Sequence, residues 1–84
     1  MYQLNLLEDP KKFLKKLNDK RLLFRLVQAI EGLKSNPFPV NSKNLHDGLG
    51  YRLRVGDYRI LYTVDKVIKI IEIYKIGHRK DIYR

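Results

Sequence analysis

The chain has 84 residues, the length of one small domain, and no repeat or linker within residues 1–84 suggests a second one. It has 18 Lys and Arg residues against 9 Asp and Glu residues, a formal net charge of +9, and no cysteine. Disulfides and thiolate metal sites are excluded, and no apolar run reaches the ~20 residues of a membrane-spanning helix. We therefore expect a folded cytoplasmic domain whose positive field attracts polyanions such as nucleic acid, and no membrane partner.

The first half of the chain has the pattern of one short strand followed by two helices. Residues 2–7 fit a strand, and the next two residues predict a helix with Asp9 as its N-cap and Pro10 in its first position. Asp19 is suited to cap a second helix, in which leucine, valine and isoleucine recur at helical spacing. We predict two helices with one shared apolar face, and we interpret their lysines as the solvated face opposite.

Beyond residue 35 two prolines end the helical region, and the periodicity becomes that of strands. Residues 40–50 are polar and predict a connection, in which His46 has no second metal ligand at a suitable spacing. Residues 50–55, 58–64 and 67–76 are rich in Val, Ile and Tyr and predict three strands. The order of elements predicts an α+β fold, a twisted antiparallel sheet of about four strands with two helices packed on one face.

The first two of these strands are joined by Gly56-Asp57, which suits a two-residue type II′ turn. A turn of this length fixes the register and places Arg54 directly opposite Arg59. Alternation then gathers Arg52, Arg54 and Arg59 on one face, while the tyrosines and aliphatic residues between them form the other. Because like charges opposite one another destabilise a sheet, this cluster favours a polyanion-binding role over a merely solvated surface.

The third strand extends this face if its connection is also a two-residue turn, at Asp65-Lys66. In that register Arg59 faces Glu72, and His78 lies on the arginine-bearing face near the end of the sheet. Glu72 would orient a guanidinium by hydrogen bonding or form an ordinary cross-strand ion pair. A shift by one residue would instead turn both Glu72 and His78 to the other face.

An open basic face with a histidine and tyrosines at its edge suits a phosphodiester. Arginine offers forked donors to phosphate oxygens, and histidine is the side chain best suited to move protons near neutral pH. Metal-free cleavage of RNA needs a base for the 2′-hydroxyl, an acid for the leaving oxygen and stabilisation of the charged phosphorane, which arginines supply. No cluster of carboxylates or histidines suggests a metal, so we predict no cofactor.

Two motifs in the second half of the chain resemble those of the RelE/ParE superfamily of toxins from bacterial and archaeal toxin–antitoxin pairs. They are YRLRVGDYRILYTV at 51–64 and GHRKDIYR at 77–84, and the order of predicted elements is similar over nearly the whole chain. The resemblance implies a ribosome-dependent endoribonuclease that cuts mRNA without a metal. It also implies an acidic antitoxin as partner, in a toxin–antitoxin hetero-oligomer.

The resemblance implies a catalytic set of basic residues on the sheet and a tyrosine near the C-terminus. Matched by position, that set is Arg52, Arg54, Arg59, Arg79 and Tyr83. Arg52 and Arg54 stand where the best-studied branch has lysines, and arginine is a very poor general base. His78 is therefore added as a candidate for the proton transfer.

Two other functions stay open from the sequence. The ParE-like branch shares the fold and the GHR…Y ending but inhibits DNA gyrase. A third possibility is a nucleic-acid-binding relic that uses its arginines as a phosphate dock. Retention of the arginines at 52, 54, 59 and 79 together with Tyr83 favours the ribonuclease branch.

Overall fold

The fold is described for residues 1–82 by a computed structural model. In chain order its elements are β1 (Gln3–Leu6), α1 (Glu8–Lys16), α2 (Lys20–Gly32), β2 (Ser42–Asn44), β3 (Tyr51–Val55), β4 (Tyr58–Asp65) and β5 (Ile70–His78). The strands form a single sheet in the order β1-β5-β4-β3-β2. Neither helix in this part of the chain is long and apolar enough to cross a membrane.

The predicted α+β class is confirmed, but the sheet has five strands and is mixed. The additional strand, β2, lies inside the segment predicted as a polar connection and pairs antiparallel with β3. At the opposite edge β1 pairs parallel with β5, with Leu4 beside Ile71. Alternation in a four-residue strand indicates its two faces but not its partner, so the parallel edge had no signal in the sequence.

The helix starts differ in how well they were predicted. Asp19 caps α2 as expected, because its Oδ1 accepts a hydrogen bond of 3.0 Å from the Leu22 N–H. The prediction that Asp9 caps α1 is wrong: the N-cap is Leu7, without a side-chain cap. The Leu7 N–H donates to the Ile73 carbonyl at 3.0 Å, so the chain leaves its pairing with β5 and enters the helix at once. Asp9 instead lies in the first helical turn, where its charge favours the helix dipole.

The core lies between the two helices and one face of the sheet. Its fully buried side chains come from α2, the residue after it, and the three central strands, and include Leu26, Leu33, Ile60, Ile71 and Ile73. The alternation predicted for β3 and β4 is confirmed, because the side chains predicted for the core face belong to this cluster or pack against it: Tyr51, Leu53, Val55, Tyr58, Ile60 and Tyr62. Removal of this apolar surface from water is the main force that holds the helices on the sheet.

Tyr62 links this core to the loop after α2. Its ring is fully buried and stacks on Tyr51 with 5.6 Å between ring centroids, and its hydroxyl donates to the Pro37 carbonyl at 2.7 Å. Burial raises the pKa of the Tyr62 phenol above its ordinary value of 10.0, although a hydrogen bond with Ser42 acts in the opposite direction. The unfolded chain therefore loses this proton at a lower pH than the folded one, and the stability contributed by Tyr62 falls as the pH rises above 10.

We expect Tyr62→Phe to lower the free energy of unfolding at pH 7 by about 1–2 kcal/mol, because it leaves the Pro37 carbonyl without its donor. Urea unfolding followed by circular dichroism measures this difference. The gap between wild type and variant should shrink between pH 10 and 11.5, since only the wild type has this phenol to ionise. A gap that stays constant over that range would contradict the assigned burial of the hydroxyl.

Candidate active site

The β3–β4 hairpin has the predicted register, and it places three arginines on the face turned away from the helices. The ladder pairs Tyr51 with Tyr62, Arg52 with Leu61, Leu53 with Ile60, Arg54 with Arg59, and Val55 with Tyr58. Gly56 has a φ of +59° while Asp57 stays outside the left-handed region, which is the type II′ arrangement. We call the sheet surface that carries Arg52, Arg54 and Arg59 the arginine face.

Arg59 turns toward the tip of the hairpin. Its Nη1 donates to the carbonyls of Gly56 and Tyr58, both at 3.0 Å. Arg59 as a residue is half-buried and pairs directly with Arg54, which is exposed. These contacts hold the Arg59 guanidinium in one position. A group that binds a phosphate in a fixed geometry needs such positioning.

Arg79 reaches the same tip from the segment that follows β5. Its backbone N–H donates to the Asp57 carbonyl at 2.8 Å, and its Nε lies 3.9 Å from Asp57 Oδ1. Both side chains are largely exposed, so the ion pair is screened by water and contributes little to stability. The backbone hydrogen bond is therefore what places Arg79 beside the hairpin.

The predicted pairing of Arg59 with Glu72 is wrong. The β4–β5 turn is longer than two residues, because Asp65 Oδ1 accepts from the backbone N–H groups of Val67 and Ile68 at 3.0 and 3.1 Å. As a result Glu72 pairs with Thr63 near the other end of the strand. The turn together with a β-bulge places Gly77 opposite Arg59.

The predicted position of His78 on the arginine face is also wrong. The β4–β5 ladder passes over Tyr74, because Leu61 pairs with Lys75 and Tyr62 with Ile73 across a β-bulge. This one extra residue reverses the facing of everything after it. His78 pairs with Tyr58 and meets its ring edge-on, with 5.3 Å between centroids, on the side of the helices.

The comparison with protein families identifies the chain. The profile described as the ParE toxin of type II toxin–antitoxin systems, parDE, matches residues 5–83. The chain belongs to the RelE/ParE toxin superfamily. A curated relative from Methanocaldococcus jannaschii, named as a candidate RelE1 toxin, is 35% identical to it over 80 residues, which cover 88% of this chain and 89% of that protein. The resemblance found in the sequence is confirmed, and the chain is a toxin of a type II toxin–antitoxin system.

Solved structures of RelE–RelB complexes share the fold of this toxin. The archaeal RelE–RelB complex from Pyrococcus horikoshii aligns with a TM-score of 0.82 and 28% identity, covering 95% of this chain and 97% of that one. The RelBE2 toxin–antitoxin complex from Mycobacterium tuberculosis aligns with a TM-score of 0.79 and 26% identity, covering 93% and 98%.

Arg25 of the toxin was missed by the sequence reasoning. A Cβ placed on Gly56 would lie 3.1 Å from Arg25 Nη2, so this guanidinium packs over the hairpin tip from the helix side. Arg25, Arg59 and Arg79 therefore meet at the tip from three separate elements. In the sequence Arg25 lies opposite the apolar stripe of α2, a position typical of a solvated side chain, and nothing local links it to a turn some 30 residues later.

The end of the described chain returns to the arginine face. Ile82 is 2% exposed, and its Cδ1 lies 3.3 Å from where a Cβ on Gly77 would be. Because Gly77 pairs with Arg59, this contact places Ile82 beside that arginine. Tyr83, the predicted catalytic tyrosine, lies outside the described residues.

Two carboxylates at the margins of the arginine face have partners of their own. Glu72 Oε2 accepts from Asn5 Nδ2 at 3.2 Å near the β1 edge, and Asp57 lies beside Arg79. Within residues 1–82 no group of three or more His, Cys, Asp or Glu side chains is placed to hold a metal ion. The chemistry available on this face therefore comes chiefly from guanidinium groups.

Proposed function

We propose that this toxin is a ribosome-dependent endoribonuclease that cleaves mRNA by attack of the ribose 2′-hydroxyl, without a metal. The observation that supports this proposal is the direct pairing of Arg54 with Arg59 on an open sheet face, with Arg79 docked beside them. Facing like charges cost stability in the free protein. A phosphate between the guanidiniums removes that cost and is stabilised by forked donors.

In the proposed reaction the arginines stabilise negative charge and do not transfer protons. The 2′-oxygen bonds to phosphorus, the bond from phosphorus to the 5′-oxygen breaks, and the products carry a 2′,3′-cyclic phosphate and a 5′-hydroxyl. Arg52, Arg54 and Arg59 hold the scissile phosphate and stabilise the phosphorane as its charge grows. Arg79 adds positive charge near the leaving 5′-oxygen.

The two protons need other groups, because arginine does not give up its proton near neutral pH. We assign a proton transfer to Tyr83, since the preceding residue, Ile82, is anchored beside Arg59 through Gly77. His78 stays a weaker candidate. Its ring lies against Tyr58 on the helix side, and its Nδ1 accepts from the Lys80 N–H at 3.1 Å, so only Nε2 is left for a substrate at the end of the sheet.

The partner in the cytoplasm is proposed to be an acidic antitoxin. The solved relatives from Pyrococcus horikoshii and Mycobacterium tuberculosis are toxin–antitoxin complexes. An acidic chain would complement the net charge of +9. The helix side of the toxin also offers apolar surface for such a chain, since Phe24 is 65% exposed on α2.

A second candidate function, inhibition of DNA gyrase, is favoured by one observation. The matched family profile is described as the ParE toxin, not as the RelE toxin. Both branches share the fold, so only activity separates them. In this alternative the arginine face would contact gyrase rather than a scissile phosphate.

The deciding experiment incubates purified toxin with ribosomes programmed with a short labelled mRNA. We expect cleavage that requires ribosomes and yields the 2′,3′-cyclic phosphate and 5′-hydroxyl ends. A single 2′-O-methyl group at the cleaved nucleotide should abolish the cut, because the attacking hydroxyl is gone. An intact mRNA together with inhibited gyrase supercoiling in a parallel assay would overturn the ribonuclease proposal in favour of the alternative.

A further inference from the structure

Two lysines lie on the arginine face in line with Arg52. Lys43 of β2 pairs with Arg52, Arg52 pairs with Leu61, and Leu61 pairs with Lys75 of β5. Residues directly opposite each other in antiparallel strands project from the same face. We call these four residues, Lys43, Arg52, Leu61 and Lys75, the transverse row. With neighbouring strands ~4.8 Å apart, the row crosses four strands and spans about 14 Å.

The facing of both lysines is supported by their neighbours along each strand. Ser42 interacts with the buried Tyr62 on the core side, so Lys43 points to the opposite side. Ile76 belongs to the core cluster, so Lys75 likewise points away from the helices. Lys43 is exposed and Lys75 is half-buried.

Leu61 lies within the transverse row, between Arg52 and Lys75. It is only 5% exposed, although it lies on the arginine face and outside the core cluster under the helices. Its ladder partners on either side, Arg52 and Lys75, have long aliphatic stems that cover apolar surface while their charged ends stay in water. Covering Leu61 therefore keeps these two positive charges close together on one side of the sheet.

The two lysines of the row carry positive charges that no side chain within residues 1–82 neutralises. Neither Lys43 nor Lys75 has an ion pair or side-chain hydrogen bond with any residue of 1–82. A length of about 14 Å accommodates several phosphates of a nucleic-acid strand, which places one every 3.4 Å of axis even in a stacked duplex. A row of cations this long matches a strand of phosphates better than a single anion.

We propose that the transverse row is a phosphate-binding track for single-stranded RNA, along which the backbone crosses the sheet from β2 to β5. Lys43 and Lys75 bind the phosphates on either side of the one held by the arginines. This inference rests on the proposed ribonuclease function and adds to it the direction in which the strand lies. The track sets affinity and register, and the arginines near the hairpin tip act on the scissile bond.

The test measures binding of a short, fully 2′-O-methylated RNA, which cannot be cut by 2′-oxygen attack, by fluorescence anisotropy between 50 and 200 mM KCl. On a single strand each phosphate contact contributes about 0.7 to the slope of log affinity against log salt. We expect Lys43→Gln and Lys75→Gln each to reduce that slope by about 0.7, and the double variant by about 1.4. Each single change should weaken binding roughly 3- to 10-fold at 100 mM salt.

Lys12→Gln is the matched control, because Lys12 is an exposed lysine of α1 on the helix side of the sheet. It removes the same charge and should leave the slope nearly unchanged. Lys75→Arg should restore the slope, since a phosphate contact needs the charge and not the ammonium. Lys43→Gln should keep the wild-type melting temperature or exceed it, because Lys43 has no side-chain partner within residues 1–82 and stands opposite Arg52. Lys75→Gln should lower it only slightly, because glutamine keeps part of the stem that covers Leu61.

Three outcomes would overturn the track. In the first, the slope changes of Lys43→Gln and Lys75→Gln are no larger than that of Lys12→Gln. In the second, the wild type binds this RNA without salt dependence. In the third, the row binds an acidic poly-Glu peptide in preference to RNA. Failure of the proposed function looks different. Wild-type toxin would then leave ribosome-bound mRNA uncut while the two lysine variants still showed the expected loss of slope.

Discussion

Replacing Arg59 by alanine is expected to reduce cleavage of ribosome-bound mRNA by about 100- to 1,000-fold, the usual effect of removing one donor to a developing oxyanion. Arg59 is the arginine whose guanidinium is held in place by two carbonyls, and it stands directly opposite Arg54. The loss should fall on the rate of the chemical step and hardly on binding, because the transverse row still holds the strand. Single-turnover cleavage on programmed ribosomes separates the two quantities, and relief of growth arrest on induction reports the same loss in cells.

The folding of this variant has to be shown, since Arg59 also braces the turn through the Gly56 and Tyr58 carbonyls. Losing those two exposed or half-buried hydrogen bonds should lower the free energy of unfolding by about 1–2 kcal/mol at most. Arg21→Ala is the matched control, because Arg21 is an exposed arginine on α2 and its removal changes the net charge equally. Full growth arrest by a folded Arg59→Ala toxin would remove Arg59 from the mechanism.

The structure of the β3–β4 hairpin, which carries the site, was predictable because it depends on residues that are close together in the sequence. A two-residue turn with glycine first leaves one register for the strands that flank it, and alternation then assigns every face. The same local reasoning predicted the N-cap of α2, because Asp19 accepts a hydrogen bond from the N–H of Leu22, three residues later. Such features depend on residues within one turn of chain and need no knowledge of the rest of the molecule.

Local patterns did not predict the pairing of β5, the strand that follows the hairpin. The longer β4–β5 turn shifted the register by about four residues, an even number, and therefore left Glu72 on the expected face. The bulge at Tyr74 then inserted one residue and reversed the facing of His78. No glycine or proline marks this bulge in the sequence, so alternation continued through it without a warning.

The short strand β2 and the bulge in β5 hid the basic residues that complete the face. Lys43 lies in the segment that was predicted as a connection, because β2 is only three residues long, and Lys75 was not included in the predicted basic face, since the bulge was not foreseen. Arg79 entered the candidate set only through the resemblance to a toxin family, and its contact with Asp57 depends on the whole sheet being formed. Residues that are brought together by the fold, rather than by local chain geometry, could not be derived from spacing.

A single added methyl group at Gly50 is expected to lower the free energy of unfolding by at least about 3 kcal/mol. Gly50 directly precedes β3 and has a φ of +93°, a conformation that alanine adopts at a cost of about 1–2 kcal/mol. A Cβ on this residue would also overlap the backbone oxygen of Tyr62. That oxygen is fixed by the pairing of β3 with β4, so the clash is relieved only by opening the end of the hairpin.

Gly48→Ala separates the clash from the strained backbone. Gly48 has a similar φ of +72°, but nothing lies within 4 Å of the position that a Cβ would occupy. We expect this control to lose only about 1–2 kcal/mol, the cost of the left-handed conformation itself. Urea unfolding of both variants gives the two numbers, and equal losses would contradict the close approach of Gly50 to β4. Because a domain of this size has only about 5–10 kcal/mol of stability in total, Gly50→Ala should also reduce the amount of folded toxin in cells and with it the growth arrest.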